Sequence, residues 1–339
     1  MRFNFYISKT ANLFFFVSNL AACFPSCREE YNKEWIKLTG KLTQEERESL
    51  KKSREIIRKY TNRNLKFKYD YLDIVFTTSK NKSQLWRRIK KLTAEKEFEL
   101  LQKVFSGLSP RFEKIWEVAR PKLFINKKNF EYFIKSNKEK IKFILSDLAD
   151  FYGERVPKGS INIFLIYVPI KKGGGGKARE KRIILLERGV VKKNSYELRQ
   201  AIAILIHEII HSFFEGNYLK KLTYNFMRKI GVKKFIKVGK TKYDLEILLR
   251  EAIASSLTPQ GYLAEKYFNL PVKERAKKFL KGRNLKKSFL DQRILFRYIS
   301  LVGYDLAKEY VNNKRRIDQN YLKNIYSFII ELKKRARET

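Results

Sequence analysis

The sequence predicts an α+β protein, mostly helical, with one small antiparallel sheet. Three observations lead there. Long stretches space their apolar residues as helices do, and two short apolar runs flank a glycine cluster. A content of 44% hydrophobic and 14% aromatic residues supplies a sizeable core for one or two domains, which excludes a disordered chain.

The first 23 residues, MRFNFYISKTANLFFFVSNLAAC, are the least regular. Leu20-Ala-Ala-Cys23 has the look of a bacterial lipoprotein cleavage box. Asn12, Ser18 and Asn19 interrupt the apolar stretch, however, which favours an amphipathic helix of the mature domain and a cytoplasmic protein. Export or lipid anchoring through the segment ending at Cys23 is the alternative. Cys23 and Cys27 are the only cysteines and cannot frame a disulfide-rich fold. Helices are expected at Thr43 to Tyr60, Ser83 to Phe105 and Asn129 to Tyr152. The last carries Phe130, Phe133, Ile134, Ile141, Ile144, Leu145 and Leu148 at helical spacing. Strands are expected at Ile161 to Val168 and Arg182 to Glu187, as an antiparallel pair whose hairpin loop contains Gly173 to Gly176. Asn194-Ser-Tyr-Glu197 reads as a cap with a carboxylate at the third helical position, opening the next helix. A helix over Tyr243 to Leu257 follows, then short helices to about Lys281, Leu285 to Val311, and Asp318 to Arg337. Residues 1–125 form a helical N-terminal region without an assigned role, and 126–339 form the domain that carries the chemistry. No stretch has the length of a transmembrane helix.

The chemistry centres on residues 201–215, AIAILIHEIIHSFFE. His207 and His211 are the only two histidines in the chain, and they sit four apart around Glu208. On a helix, positions i and i+4 share one face, so both imidazoles can reach one metal while Glu208 touches a water bound to it. Zn²⁺ accepts imidazole nitrogen and carboxylate oxygen, keeps one position for water and lowers that water's pKa towards ~7. The flanking residues are apolar nearly all round, so the helix is interior, and ionisable groups inside it are costly without a metal or hydrogen-bond partners.

A catalytic zinc site takes three protein ligands, and no histidine or cysteine follows the motif. The third ligand is therefore a carboxylate. Glu251 is the best candidate, beside the apolar face Leu245, Leu248, Leu249, Ala252, Ile253 and Leu257 of its helix. Its rivals are Glu215, one turn beyond His211 and better suited to the surface or to supporting a ligand; Asp244; and Glu246, which has Arg250 at i+4 for an ordinary ion pair.

His207-Glu208-x-x-His211 with a glutamate on a later helix resembles the gluzincin branch of the zincin metallopeptidases, over roughly residues 160–257. The resemblance implies a zincin-like fold with the small sheet lying over the motif helix, and an edge strand that binds extended polypeptide by strand addition. It implies Zn²⁺ held by His207, His211 and Glu251, with Glu208 as general base. Many gluzincins carry an aspartate one turn after the glutamate ligand to orient a histidine; here Ser255 stands there, able to accept a histidine N–H. A tyrosine often helps polarise the oxyanion in such enzymes, and Tyr262 and Tyr298 are the candidates offered here. The expected function is a zinc-dependent peptidase acting on polypeptide.

Two other readings come from different classes. One is a catalytically inactive zincin-fold binding protein. The other rests on the formal net charge of +40, with basic runs at Lys273 to Lys287 and Lys308 to Arg316, which would attract nucleic acid or an anionic surface. The lysines are spread along the whole chain and no basic-aromatic recognition module is present, so solvated faces account for them better.

Overall fold

A computed structural model of the chain describes residues 1–24, 26–62, 70–170, 174–179, 182–231, 235–238, 241–281 and 292–335. The fold is 70% helical with a small four-stranded mixed sheet, so the α+β, mostly helical class holds. The expected division at 125/126 is a single cut. The two compact units observed are instead interleaved: a motif unit of residues 1–2, 132–161 and 193–339, and an N-terminal unit of 3–131 and 162–192.

The N-terminal unit begins with β1 (Arg2–Tyr6) and α1 (Lys9–Leu20), the latter capped by the Ser8 hydroxyl. Phe14 and Phe16 of α1 pack among Trp35, Phe76, Phe105 and Phe112. Cys23 is buried within this unit, and burial pushes its thiol up to about 12, so it is an inert apolar group. Next come α2 (Glu29–Thr39), α3 (Gln44–Thr61), α4 (Leu72–Thr78), α5 (Lys82–Leu92) and α6 (Glu95–Ser136). Thr43 and Glu46 close a reciprocal capping box at the start of α3.

Two expected helices have different bounds. Ser83 to Phe105 is split at Thr93, whose N–H closes α5 on the Ile89 carbonyl. Asn129 to Tyr152 is split at Asn137, which separates α6 from α7 (Lys138–Tyr152). Helix α6 runs for 42 residues through Pro110 and Pro121. Each proline costs about 3 kcal/mol in a helix interior. Leu101, Val104, Leu108, Phe112, Ile115, Ala119 and Leu123 are all buried at helical spacing, and this unbroken stripe outweighs the two local penalties.

The sheet corrects the expected antiparallel pair. Its strand order is β1, β2 (Ser160–Tyr167), β4 (Ile183–Arg188), β3 (Gly174–Arg179). Strands β2 and β4 run parallel, with Asn162 opposite Ile183 and Tyr167 opposite Arg188. The glycine segment is itself a strand: β3 lies antiparallel on β4, Gly174 facing Arg188 and Arg179 facing Ile183. The antiparallel pairing is therefore between β3 and β4, and β3, at the edge of the sheet, precedes β4 in the chain. β2 and β4 are central, which suits their near-continuous apolar runs. Gly174 has φ +135°, and a Cβ there would sit 2.3 Å from the Glu187 carbonyl, so only glycine fits. Gly173, in the expected loop, lies outside the described residues.

In the motif unit, α7 ends at Gly153, whose left-handed φ of 61° closes the helix. Helix α8 (Tyr196–Ile209) follows, starting at a Ser195 cap, one residue later than expected, and passes directly into a π-helical turn, Ile210–Phe214. The rest is α9 (Asn217–Lys229), the hairpin β5 (Phe235–Val238) and β6 (Thr241–Asp244), α10 (Leu245–Leu257), α11 (Tyr262–Phe268), α12 (Val272–Leu280), α13 (Gln292–Val302), α14 (Tyr304–Asn312) and α15 (Gln319–Arg335). The expected helix Leu285 to Val311 is divided at Gly303, and its part before 292 lies outside the described residues, as does the basic run beyond Lys281 and the end of the last helix beyond Arg335. Among the described residues no helix is long and apolar enough to cross a membrane. Ala201, Ile202, Ala203, Leu205, Ile206 and Ile209 are completely buried, so α8 is the central helix of this unit, and α10 packs against it, α13 and α15.

Candidate metal centre

Two helices build the centre within the motif unit. His207 stands on the last turn of α8, His211 on the π-helical turn, and Glu251 midway along α10. Their ligand atoms all lie within 4.8 Å of one another. His207 Nε2 is 3.1 Å from His211 Nε2 and 3.5 Å from Glu251 Oε2; His211 Nε2 is 3.4 Å from Glu251 Oε1. The three side chains retain 12%, 16% and 33% of their exposure, so none is sealed in the core.

The outward ring nitrogens are held by different acceptors. His207 Nδ1 is 2.8 Å from the Thr258 carbonyl, which can only accept, so that nitrogen carries the hydrogen. His211 Nδ1 donates to Glu215 Oε1 at 2.7 Å. Glu215 has no exposed side-chain surface, and Arg250 binds its other oxygen through Nε at 2.8 Å and through a terminal guanidinium nitrogen. Burial pushes the Glu215 carboxyl up, but His211 and Arg250 outweigh it and hold it below the ordinary carboxylate range. Fixing hydrogen on both Nδ1 atoms leaves both Nε2 atoms as lone-pair donors when neutral.

Two nitrogen lone pairs and a carboxylate thus face one another at 3.1 to 3.5 Å. The ion-pair partners of Glu251 are the two imidazoles. Burial raises the Glu251 carboxyl, and the imidazoles overcome this and hold it far below its usual range. For His211, burial opposes the charge while Glu215 and Glu251 favour it, and the net is a pKa well above the ordinary imidazole value. A positive charge belongs in this gap, either a proton or a cation, and a divalent metal binding there would displace the proton. Two neutral imidazole nitrogens plus one carboxylate oxygen is a donor set that Zn²⁺ accepts.

The structure brings His207, His211 and Glu251 together. Glu208 is not one of the converging groups; it is buried on α8, its carbonyl accepting from the Ser212 hydroxyl. The rival carboxylates have other tasks. Asp244 caps α10 through the amides of Glu246 and Ile247. Glu246 is only 3.9 Å from Arg250, whose closer partner is Glu215, so the expected helix ion pair is a loose contact. Ser255 is buried on α10, and it is the Thr258 carbonyl, three residues further on, that meets His207. Tyr262 donates to Asn312 Oδ1 at 2.6 Å, and Tyr298 is buried on α13.

Sequence reasoning had offered Glu215 as a supporting group but had no sign of Arg250 as its partner, of the Thr258 carbonyl, or of the π-helical turn. That turn is carried by the Glu215 amide bonding the Ile210 carbonyl, five residues back, at 3.2 Å. Such single wide turns inside helices often accompany functional sites. Beneath the centre, Tyr152 is completely buried with no hydrogen-bond partner for its hydroxyl. Burial first, then the charges of Glu215 and Glu251, push its phenol well above the ordinary value, so it stays protonated. No protein-family model, curated protein or solved structure matches this chain.

Proposed function

We propose that the protein is a zinc-dependent peptidase of gluzincin type, with His207, His211 and Glu251 as metal ligands and Glu208 as general base. One observation carries the reading: three electron-pair donors from two helices converge within 4.8 Å of one another while the outward nitrogens of both imidazoles are held by buried partners. Holding three like-disposed acceptors together costs stability, and a cation repays that cost. Zinc, when bound, supplies a Lewis acid that polarises a carbonyl and lowers the pKa of water towards ~7.

The chain's own residues do the rest. Thr258 and the Glu215–Arg250 pair set the tautomer and orientation of the two imidazoles. Glu251 adds a negative charge opposite them. Glu208 takes a proton from the attacking water as the new oxygen–carbon bond forms, then gives it to the amine nitrogen as the carbon–nitrogen bond breaks.

The test pairs metal content with turnover. Wild-type protein should hold one zinc per chain, lost in His211→Ala and Glu251→Ala. Glu208→Gln should keep the zinc while hydrolysis of an unfolded protein substrate falls about 10²- to 10⁴-fold. Zinc retained with an unchanged rate in Glu208→Gln would overturn the assignment of the base, and absence of zinc from reconstituted wild type would overturn the whole reading.

A further inference from the structure

All three residues of the metal centre belong to the motif unit, and the N-terminal unit encloses a cavity of its own. The cavity measures about 220 Å³ and lies between the start of α1, the start of α5 and the middle of α6. Leu13, Leu85, Phe105 and Phe112, all buried, form an apolar floor. Short side chains keep the space above it open. Ser106 and Ser109, three apart on one face of α6, line the cavity where larger residues would fill it.

Trp86 supplies an aromatic wall, and its ring is held in place edge-on to Phe76, Phe98 and Phe105, with centroids 6.2 to 6.5 Å away. Its indole N–H takes no part in that packing. Among the described residues no acceptor meets this N–H, and the Ser106 and Ser109 hydroxyls have no partner there either. The other polar groups of the lining are occupied. Thr10 donates to the Phe76 carbonyl at 2.6 Å, and Glu113, the one acid among the described lining residues, is closed by Lys9 at 2.6 Å. An apolar floor with a few unpaired polar groups is the composition of a small-molecule site. The volume sets the scale of the ligand. A dry cavity of about 150 Å³ admits benzene, whereas sites for drug-sized molecules begin at about 300 Å³, so this one holds a single ring with a substituent of roughly two or three atoms.

We infer that this cavity binds a small aromatic compound whose polar end accepts hydrogen bonds, a carbonyl or a carboxylate. The unpaired groups select that end. An indole N–H only donates, a hydroxyl donates or accepts, and the carboxylate that would attract a cationic ligand is already spent on Lys9. The ring goes to the floor, where it gains apolar contact and edge-to-face packing with residues already fixed by their neighbours. The inference does not depend on the peptidase reading, and it gives the N-terminal unit a binding function of its own.

Three probes of similar size separate shape from chemistry: acetophenone, benzoate and benzylammonium. The full chain is titrated with each while the indole N–H signals of its three tryptophans are followed by nitrogen–proton correlation NMR, the Trp86 signal being the one that Trp86→Phe removes. Acetophenone and benzoate should both bind with a Kd of about 1 mM or tighter and move the Trp86 signal most, with benzylammonium at least about tenfold weaker. Trp86→Phe keeps a ring and loses the donor, so calorimetry should show acetophenone bound about three- to tenfold more weakly. Ser109→Leu fills the cavity and should abolish binding at an unchanged or raised unfolding midpoint. The conservative Trp86→Phe keeps the test decisive if the leucine variant fails to fold. Benzoate bound without acetophenone would assign the binding to Lys80 and Lys82 at the rim and overturn the inference. Benzylammonium bound as tightly as acetophenone, affinity that survives Ser109→Leu, or a Trp86 signal that stays still at saturating probe each overturn it as well.

Discussion

Each unit holds a cluster of half-buried charge, and the two clusters obey opposite rules. In the N-terminal unit, Arg111 closes on itself: its guanidinium donates to the carbonyls of Thr39, Gly40 and Lys41 and to both oxygens of Glu46, at 2.6 to 2.9 Å. Every donor meets an acceptor, and the loop between α2 and α3 is tied to α6. In the motif unit, only the periphery is closed in this way, by Glu215, Arg250 and Thr258. The centre is left with acceptors facing acceptors. One cluster is paired off within itself, whereas the other is supported from behind and left wanting in front.

The comparison can be broken at either end. The largest effect on stability is expected in the N-terminal unit. Arg111→Ala removes all five of these hydrogen bonds from a half-buried site whose freed carbonyls water can reach, and should lower unfolding free energy by about 2 kcal/mol in denaturant titration while leaving zinc content unchanged. Loss of zinc in that variant would mean that the two clusters are coupled. In the motif unit the equivalent change should appear in metal affinity. Glu215→Gln weakens the hold on His211 and should raise the zinc dissociation constant about 10- to 100-fold, measured by competition with a chelator. An unchanged constant would show that the ring is oriented without Glu215.

Acid separates the clusters further. Burial raises the Glu46 carboxyl, but Arg111 and the Thr43 amide outweigh it, so its folded pKa lies below 4.5, the ordinary value. A carboxyl depressed on folding stabilises fully above its unfolded value, and that contribution is lost as pH falls through the folded value. Acid below about pH 4.5 should therefore weaken the N-terminal unit, and Glu46→Gln should flatten that part of the stability–pH curve. A curve of unchanged slope would remove Glu46 from the account. The smallest effect concerns Tyr152. Removing a buried hydroxyl that has no partner leaves nothing unpaired, so Tyr152→Phe should be neutral or stabilise by about 1 kcal/mol. A loss of turnover at full zinc occupancy would instead give this hydroxyl a part in the site.

Much of the motif unit was legible along the chain. Helical periodicity marked α10, and the four-residue spacing of His207 and His211 put both rings on one face before any tertiary contact was known. Glu251 was legible from its place beside an apolar stripe. The sheet was not, because a short apolar run marks a strand without telling its partner. Ile161 to Val168 and Arg182 to Glu187 were recognised, yet their parallel pairing depends on the route taken by 169–181. A strand reading Gly-Gly-Gly-Lys-Ala-Arg has almost no β-propensity and is held by its neighbour. Helix α6 was missed for the converse reason: Pro110 and Pro121 are local stop signals that a long buried stripe overrides.

By itself the sequence determined the helical character of the chain, the shared face of His207 and His211 and the candidacy of Glu251, because each follows from contacts within a turn or two of backbone. Only the tertiary structure decided that Glu251 meets both rings, that Thr258 and the Glu215–Arg250 pair hold them from behind, and that the chain interleaves two units. Those outcomes join residues tens of positions apart. Their geometry is set by which buried surfaces pack together, and no local pattern in the chain encodes that.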